Sequence, residues 1–284
     1  MIKARLFALL QYITPQHALS RAAGALARCR RPWVKNTFIE WFIKRYNVDM
    51  SEALEENPRN YGSFNEFFCR PLKPDARPIC AEPGAVVCPA DGFISQLGDI
   101  EAGRIFQAKG QDYSALELLG GDEALAAEFA DGHFATIYLS PRHYHRVHMP
   151  LAGRLRRMLA IPGDLFSVNT ATASQVPRLF ARNERAVAVF DTEAGPMALV
   201  LVGAMIVAGI DTVWAEDVTP AKRTIATTDY TGNEAIELAA GAEMGRFKLG
   251  STVIVLFPKG KVQWDAAYLA DSVTVMGQKL GTVV

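Results

Sequence analysis

No stretch of about 18 apolar residues free of charge occurs in the 284-residue chain, so no segment reads as a bilayer-spanning helix. Cysteine is scarce: Cys29, Cys69, Cys80 and Cys88 all lie in the first third and show no metal-ligand spacing. That disfavours a disulfide framework and fits a reducing cytoplasm. Low-complexity segments are lacking, as is any repeat of roughly 20 to 50 residues, which excludes solenoids and propellers. The opening Met1-Ile2-Lys3-Ala4-Arg5-Leu6-Phe7-Ala8-Leu9-Leu10 has a signal-peptide flavour. Its apolar part is too short, and Tyr12, Thr14, Pro15 and Gln16 stand where small cleavage-site residues belong, so export is not expected.

Net charge is also lacking, with 30 basic against 30 acidic residues. The balance is uneven along the chain, however. Lys3, Arg5, Arg21, Arg28, Arg30, Arg31, Lys35, Lys44 and Arg45 face only Glu40 in residues 1–48, which gives +8 and leaves −8 for the rest. Leu6, Leu9, Leu10 and Ile13 recur at helical spacing, in a helix that Pro15 ends. Phe38, Trp41, Phe42 and Arg45 recur likewise between Thr37 and Tyr46. These helices either cover the core of the body or form a basic amphipathic segment on an anionic membrane surface. Nucleic acid is not an expected partner, because the basic residues alternate with large apolar ones and the body is acidic.

Half the residues are apolar, enough for one large domain or two small ones. Ser63-Phe64-Asn65-Glu66 is a capping box. The proline-rich strap Arg70-Pro71-Leu72-Lys73-Pro74-Asp75-Ala76-Arg77-Pro78-Ile79 leads to a body of mostly short strands. Expected strands include Phe93 to Leu97, Phe134 to Leu139, Arg154 to Leu159, Ala186 to Phe190, a pair within Ala198 to Ile210, and Thr252 to Phe257. Ala115 to Leu119 and Asp122 to Phe129 look helical. The fold class expected is α+β. Residues 1–62 form an N-terminal helical, membrane-associating segment, and residues 63–284 a β-rich, sandwich- or barrel-like catalytic body.

Three features can carry chemistry. Gly250-Ser251 stands at the mouth of the Thr252–Phe257 run, either as an ordinary turn or as a strained bond open to attack by the Ser251 hydroxyl. His143, His145 and His148 lie within six positions, flanked by Arg142 and Arg146. No cysteine or carboxylate in that stretch completes a metal-ligand set and the arginines oppose a cation, so acid–base work is the better reading. Asp91-Gly92 is a turn signal that also offers an orienting carboxylate. Asp91, His148 and Ser251 together have the composition of an orienter, a base and a nucleophile.

The chain resembles the bacterial phosphatidylserine decarboxylases. The likeness runs in order through Phe64-Asn65-Glu66-Phe67-Phe68, Arg77-Pro78-Ile79, Pro89-Ala90-Asp91-Gly92 and Tyr144-His145-Arg146-Val147-His148-Met149-Pro150. It continues in Pro162-Gly163-Asp164-Leu165-Phe166-Ser167-Val168-Asn169, Asn183-Glu184-Arg185, Val202-Gly203-Ala204 and Leu249-Gly250-Ser251-Thr252, while the first sixty residues match loosely. His143 departs from the pattern, where an acidic residue is expected. The resemblance implies that Ser251 attacks the Gly250 carbonyl, splitting the chain into residues 1–250 (the β chain) and 251–284 (the α chain). A covalent pyruvoyl group derived from Ser251 would then form a Schiff base with phosphatidylserine and lead to phosphatidylethanolamine and CO2. Asp91 and His148 would activate Ser251 as a triad, with Asp91 holding the imidazole tautomer. His145 is assigned the proton delivered to the former α-carbon, and Arg142 or Arg146 either meets the lipid phosphate or makes an ordinary ion pair. The expected product is a dimer of the two-chain unit, peripheral on the cytoplasmic face of the cell membrane.

Two other classes stay open. A biotinyl- or phosphotransferase-like carrier would need a modifiable lysine at a hairpin tip or a histidine beside Gly209-Ile210-Asp211-Thr212, and no histidine follows His148. A serine hydrolase would use the same three residues but lacks a Gly-x-Ser-x-Gly elbow.

Overall fold

A computed structural model describes residues 2–205, 209–218, 224–230, 232, 235–248 and 251–284, with side chains from Arg5 onward. Three helices open the chain: α1 (Ile2–Ile13), α2 (Gln16–Ala27) and α3 (Pro32–Tyr46). Pro15 separates the first two, as its missing N–H dictates. The helix α2 occupies the stretch between the two expected helices, where Gly24 and scattered alanines blur the apolar period. The helix α3 starts on Pro32 and stops at Asn47, whose left-handed φ of 52° caps the last turn.

These helices pack in two different ways. Phe42 and Ile39 of α3 are buried with Val48, Tyr61, Phe64, Phe67 and Phe68 in one cluster. The last three come from α4 (Phe64–Phe68), which begins where the Ser63 side chain accepts from the Glu66 N–H. Five residues cannot hold a helix unaided, so α4 relies on α3, and the cluster straddles the boundary expected after residue 62. In contrast, α1 docks on the body through polar groups. Its Gln11 donates to Thr172 Oγ1 (3.2 Å) and accepts from the Ser167 N–H (2.8 Å), and just beyond it Gln16, the first residue of α2, accepts from the Leu165 N–H (2.6 Å). Its apolar stripe of Leu6, Leu9, Leu10 and Ile13 faces outward, at least half exposed.

The body opens with β1 (Ala85–Val87), β2 (Gly92–Asp99), β3 (Arg104–Ala108) and β4 (Gln111–Ser114). The short helices α5 (Ala115–Leu118) and α6 (Glu123–Ala127) precede β5 (His133–Leu139), β6 (Arg146–His148) and β7 (Gly153–Ile161). Then follow α7 (Thr170–Ala173), α8 (Leu179–Arg182), β8 (Arg185–Thr192), β9 (Gly195–Val202), β10 (Ile210–Thr212), β11 (Ala226–Asp229) and β12 (Glu237–Leu238). The chain closes with β13 (Glu243–Phe247), β14 (Ser251–Phe257), β15 (Val262–Trp264), β16 (Val273–Thr274) and β17 (Lys279–Val283).

One antiparallel sheet of nine strands dominates, in the order β11-β7-β8-β9-β14-β5-β2-β16, with β12 also beside β7. It is buried on both faces. Leu139, Val253 and Leu201 meet Val147, Ile210, Met244 and Phe247 of the smaller sheet β10-β13-β6. On the other face Ile254, Val200 and Val187 meet Phe129, Phe166 and Phe180 from the helices and loops. All seven residues of β14 are buried, which is why Thr252 to Phe257 reads as one apolar run instead of alternating. Of the pair expected within Ala198 to Ile210, β9 ends at Val202 and β10 begins only at Ile210, with residues 206–208 outside the described residues. The other expected strands are present, each extended by a residue or more at one or both ends. The fold is α+β as expected, but no barrel closes: the large sheet ends in separate edges at β11 and β16.

Candidate active site

Ser251 is the first residue of the central strand β14, opposite Leu139 of β5, with the following pair Thr252–Val202 on β9. Residues directly opposite share a face, so Ser251 lies on the side of the sheet covered by β6 and β13. It is fully buried, and neither its Oγ nor Thr252 Oγ1 has a hydrogen-bond partner among the described residues. Gly250 and Leu249 lie outside the described residues. The chain reaches them from β13, where the Phe247 N–H donates to the His145 carbonyl (3.0 Å). Four residue steps separate Phe247 from Ser251, so at most about 14 Å of chain joins the His145 backbone to the serine.

His148, on β6, is buried. Its Nδ1 donates to the Gly241 carbonyl (2.8 Å), which can only accept, so its Nε2 accepts from the Tyr144 hydroxyl (3.0 Å). Burial pushes its pKa down, leaving the ring neutral at pH 7. Asp91 was expected to hold this tautomer, and the structure corrects that: the Gly241 carbonyl does so. The Asp91 carboxylate is occupied by a bidentate Arg77 (2.6 to 3.0 Å) and by the Met276 N–H (2.8 Å). A guanidinium fork matches a carboxylate better than a single imidazole N–H. Asp91 reaches His148 as a charge and not through a hydrogen bond. The Pro89 carbonyl accepts from the His148 N–H (2.8 Å), so the Asp91 turn and β6 are joined through their backbones. Gly92 lets the start of β2 lie close against β5, because a Cβ there would meet the Tyr138 carbonyl oxygen at 2.5 Å.

His145 is wholly buried, stacked on Phe68 at 3.9 Å, with both ring nitrogens unpartnered among the described residues. Burial, then the Arg70 charge, hold its pKa well below the usual value. Burial and Arg142 also bring His143 down to about 4, where the Ser140 N–H donates to its Nδ1. Arg146 is used internally, on Glu243 (2.6 Å) and the Cys69 carbonyl. Arg142 is left with the Phe93 ring and a long contact to His143. Among the described residues no group of three or more His, Cys, Asp or Glu could hold a metal.

Two site residues escaped sequence reasoning. Tyr144 sits inside the quoted motif, but a tyrosine beside three histidines draws attention to the imidazoles. Glu184 is buried at the same sheet end: its carbonyl accepts from the Gly203 N–H (2.9 Å), and Gly203 is one step beyond the Val202–Thr252 pair. A Cβ on Gly203 would come within 3.3 Å of the Glu184 side chain, so the glycine leaves room for it. Burial and then Asp217 raise the Glu184 carboxyl to about 7. No periodicity marks such a residue; its place in the quoted Asn183-Glu184-Arg185 motif and the glycine one strand away hint at it.

Two cavities flank this end of the sheet. One of 470 Å³ is lined by Phe93, Tyr138 and Ala173, and Tyr138 is the cross-strand partner of Thr252. The other, of 260 Å³, is lined by charged residues including Asp91 and Arg142.

A family model described as phosphatidylserine decarboxylase matches residues 64–282, and a second, described as PSD, matches residues 6–47. A phosphatidylserine decarboxylase proenzyme of Pseudomonas putida (strain W619) is 62% identical over 285 residues, covering 100% of this chain and 99% of its own. The proteins of the same name from Pseudomonas entomophila (strain L48) and Stutzerimonas stutzeri (strain A1501) are 62% and 60% identical, over 98% and 99% of this chain and 98% and 95% of their own. With the ordered motifs and the buried serine at the head of β14, these matches show that the chain belongs to the phosphatidylserine decarboxylase family of enzymes.

Proposed function

We propose that this decarboxylase cleaves its own backbone between Gly250 and Ser251 and then converts phosphatidylserine to phosphatidylethanolamine and CO2 at an anionic membrane surface. One observation carries the reading: a fully buried serine hydroxyl without a partner among the described residues, at the head of the central strand and on the face covered by β6. Leaving such a hydroxyl unsatisfied costs about 1 to 3 kcal/mol, a cost that a nucleophile can carry and a structural serine has no reason to. The same residue fits a covalent pyruvoyl group, which would stand at the start of β14 and supply the electron sink for loss of CO2.

The residues of the chain take the remaining roles. His148 enters neutral, with Nδ1 fixed by Gly241, so its Nε2 is the base, and Tyr144 passes the proton between it and the serine. Asp91 contributes negative charge that favours the imidazolium as it forms. His145 also enters neutral, with one ring N–H, and is the residue assigned to deliver that proton to the former α-carbon. Cleavage would not separate the fragments, because β14 lies between β5 and β9 and carries hydrogen-bonded partners on both sides. Membrane association as a peripheral protein on the cytoplasmic face is supported by the outward stripe of α1 and by Trp33 and Trp41 of α3, 73% and 51% exposed, in a segment of charge +8. No helix among the described residues is long and apolar enough to cross a membrane.

The test follows release of the serine carboxyl carbon as CO2 from phosphatidylserine vesicles. The purified chain should release it, and Ser251→Ala should neither cleave nor release any. Release by the serine-to-alanine chain would overturn the assignment.

A further inference from the structure

Arg70 is 3% exposed, yet its side chain forms no ion pair and donates no hydrogen bond to any described residue, and its Nε is enclosed without a partner. Its guanidinium lies 5.4 Å from the Phe67 ring and lines the 260 Å³ cavity. Arg142 lines the same cavity and has no ion pair among the described residues; its guanidinium lies 5.7 Å from the Phe93 ring. The carboxylates around the cavity do not neutralise these two cations at contact. Arg77 bridges Glu52 (2.8 and 3.0 Å) and Asp91, which occupies both acids. Asp49 accepts from the N–H and hydroxyl of Ser51. Two guanidinium groups therefore face the cavity without a counter-ion in contact. A buried cation is stable only when paired or hydrogen-bonded, and a guanidinium fork suits a phosphate above other anions.

We propose that Arg70 and Arg142 form a phosphate-binding site, filled by the phosphate of a phospholipid headgroup or by free phosphate. The volume, below the roughly 300 to 1,000 Å³ of a site for a drug-sized ligand, admits a headgroup and leaves acyl chains outside. Its position suits a substrate anchor. Arg142 rests on Phe93, which pairs with Tyr138, which pairs with Thr252, so the strand beneath Arg142 lies about two strand spacings, roughly 10 Å, from the reactive end of β14. The phospholipid as source rests on the function proposed above; the phosphate chemistry does not.

The test uses the full chain carrying Ser251→Ala, which binds without turning over, titrated by calorimetry with inorganic phosphate and with glycerophosphoserine. Adding Arg142→Gln should weaken both by about tenfold to a hundredfold, the range for a charge-assisted contact, and Arg142→Lys should recover part of the loss. Tighter binding of glycerophosphoserine than of phosphate would identify a headgroup site, and equal binding a site for phosphate alone. Unchanged affinities in Arg142→Gln would overturn the proposal. Arg70→Gln repeats the test from the buried side, with self-cleavage of the Ser251 form on a gel as its folding control. In that cleaving form, Arg142→Gln should raise KM for phosphatidylserine vesicles about tenfold or more with kcat retained. A wild-type chain that binds phosphate but releases no CO2 would sink the proposed function and leave the site standing.

Discussion

The helical cap and the sheet body treat their apolar residues in opposite ways. Ten of the nineteen exposed large hydrophobic side chains among the described residues fall between Leu6 and Trp41, although that stretch is a small part of the chain. The body instead turns its apolar residues inward on both faces of the sheet and spends its exceptions on buried titratable groups: His145, His148, Asp91 and Glu184. The cap holds nearly all of its charge as unopposed base, whereas the body pairs its charges, as in Arg77 with Asp91 and Arg146 with Glu243. An element that leaves tryptophan and leucine in water beside lysine and arginine is built for a boundary. One that seals a serine and two histidines away from water is built for chemistry.

The contrast can be broken from the body first. Ser251→Ala should abolish self-cleavage outright, read as a single band on a denaturing gel. His148→Ala should slow cleavage by roughly 10² to 10⁴, the usual contribution of a positioned base, while Tyr144→Phe should slow it less, since water can replace a relayed proton. A cleavage rate for His148→Ala equal to wild type would remove the base from the account. In the cap, changing Leu9, Ile13, Trp33 and Trp41 together to serine should lower affinity for anionic vesicles about a hundredfold, some 2.8 kcal/mol. Self-cleavage should be spared. These surface changes separate the two regions better than deleting residues 1–48, which would also strip the cover from Phe64, Phe67 and Phe68.

A pH-dependent effect on stability concerns Glu184. Its carboxyl titrates near 7 in the folded chain against 4.5 unfolded. Burial of the carboxyl therefore costs nothing below about pH 4.5, more as pH rises towards 7, and a constant amount beyond. That constant is at most on the order of 3 kcal/mol. Glu184→Gln should flatten this loss, so urea melts of wild type and variant that keep the same spacing from pH 5 to pH 8 would contradict it.

Much of this was legible in the residues. The apolar run Thr252–Phe257, the capping serine at 63, the stop at Pro15 and the order of the motifs all act locally or through period, which a sequence displays. What it concealed depends on contacts distant in sequence. Asp91 and His148 read as a hydrogen-bonded pair until Arg77, in the strap, claimed the carboxylate. Gly241 took the imidazole proton from 93 positions away. The outward turn of α1 was equally hidden, because its anchors are Gln11 and, at the start of α2, Gln16, residues that no hydropathy pattern marks. The body's second layer, β10-β13-β6, consists of short strands whose pairing only the folded chain reveals.

The measurement that bears most directly on the account is the intact mass of the purified protein under denaturing conditions. The account expects two fragments, residues 1–250 and residues 251–284, the smaller lighter by one ammonia than simple hydrolysis gives. A single unbroken chain that still decarboxylates phosphatidylserine, or a pair with the mass of plain hydrolysis, would contradict it.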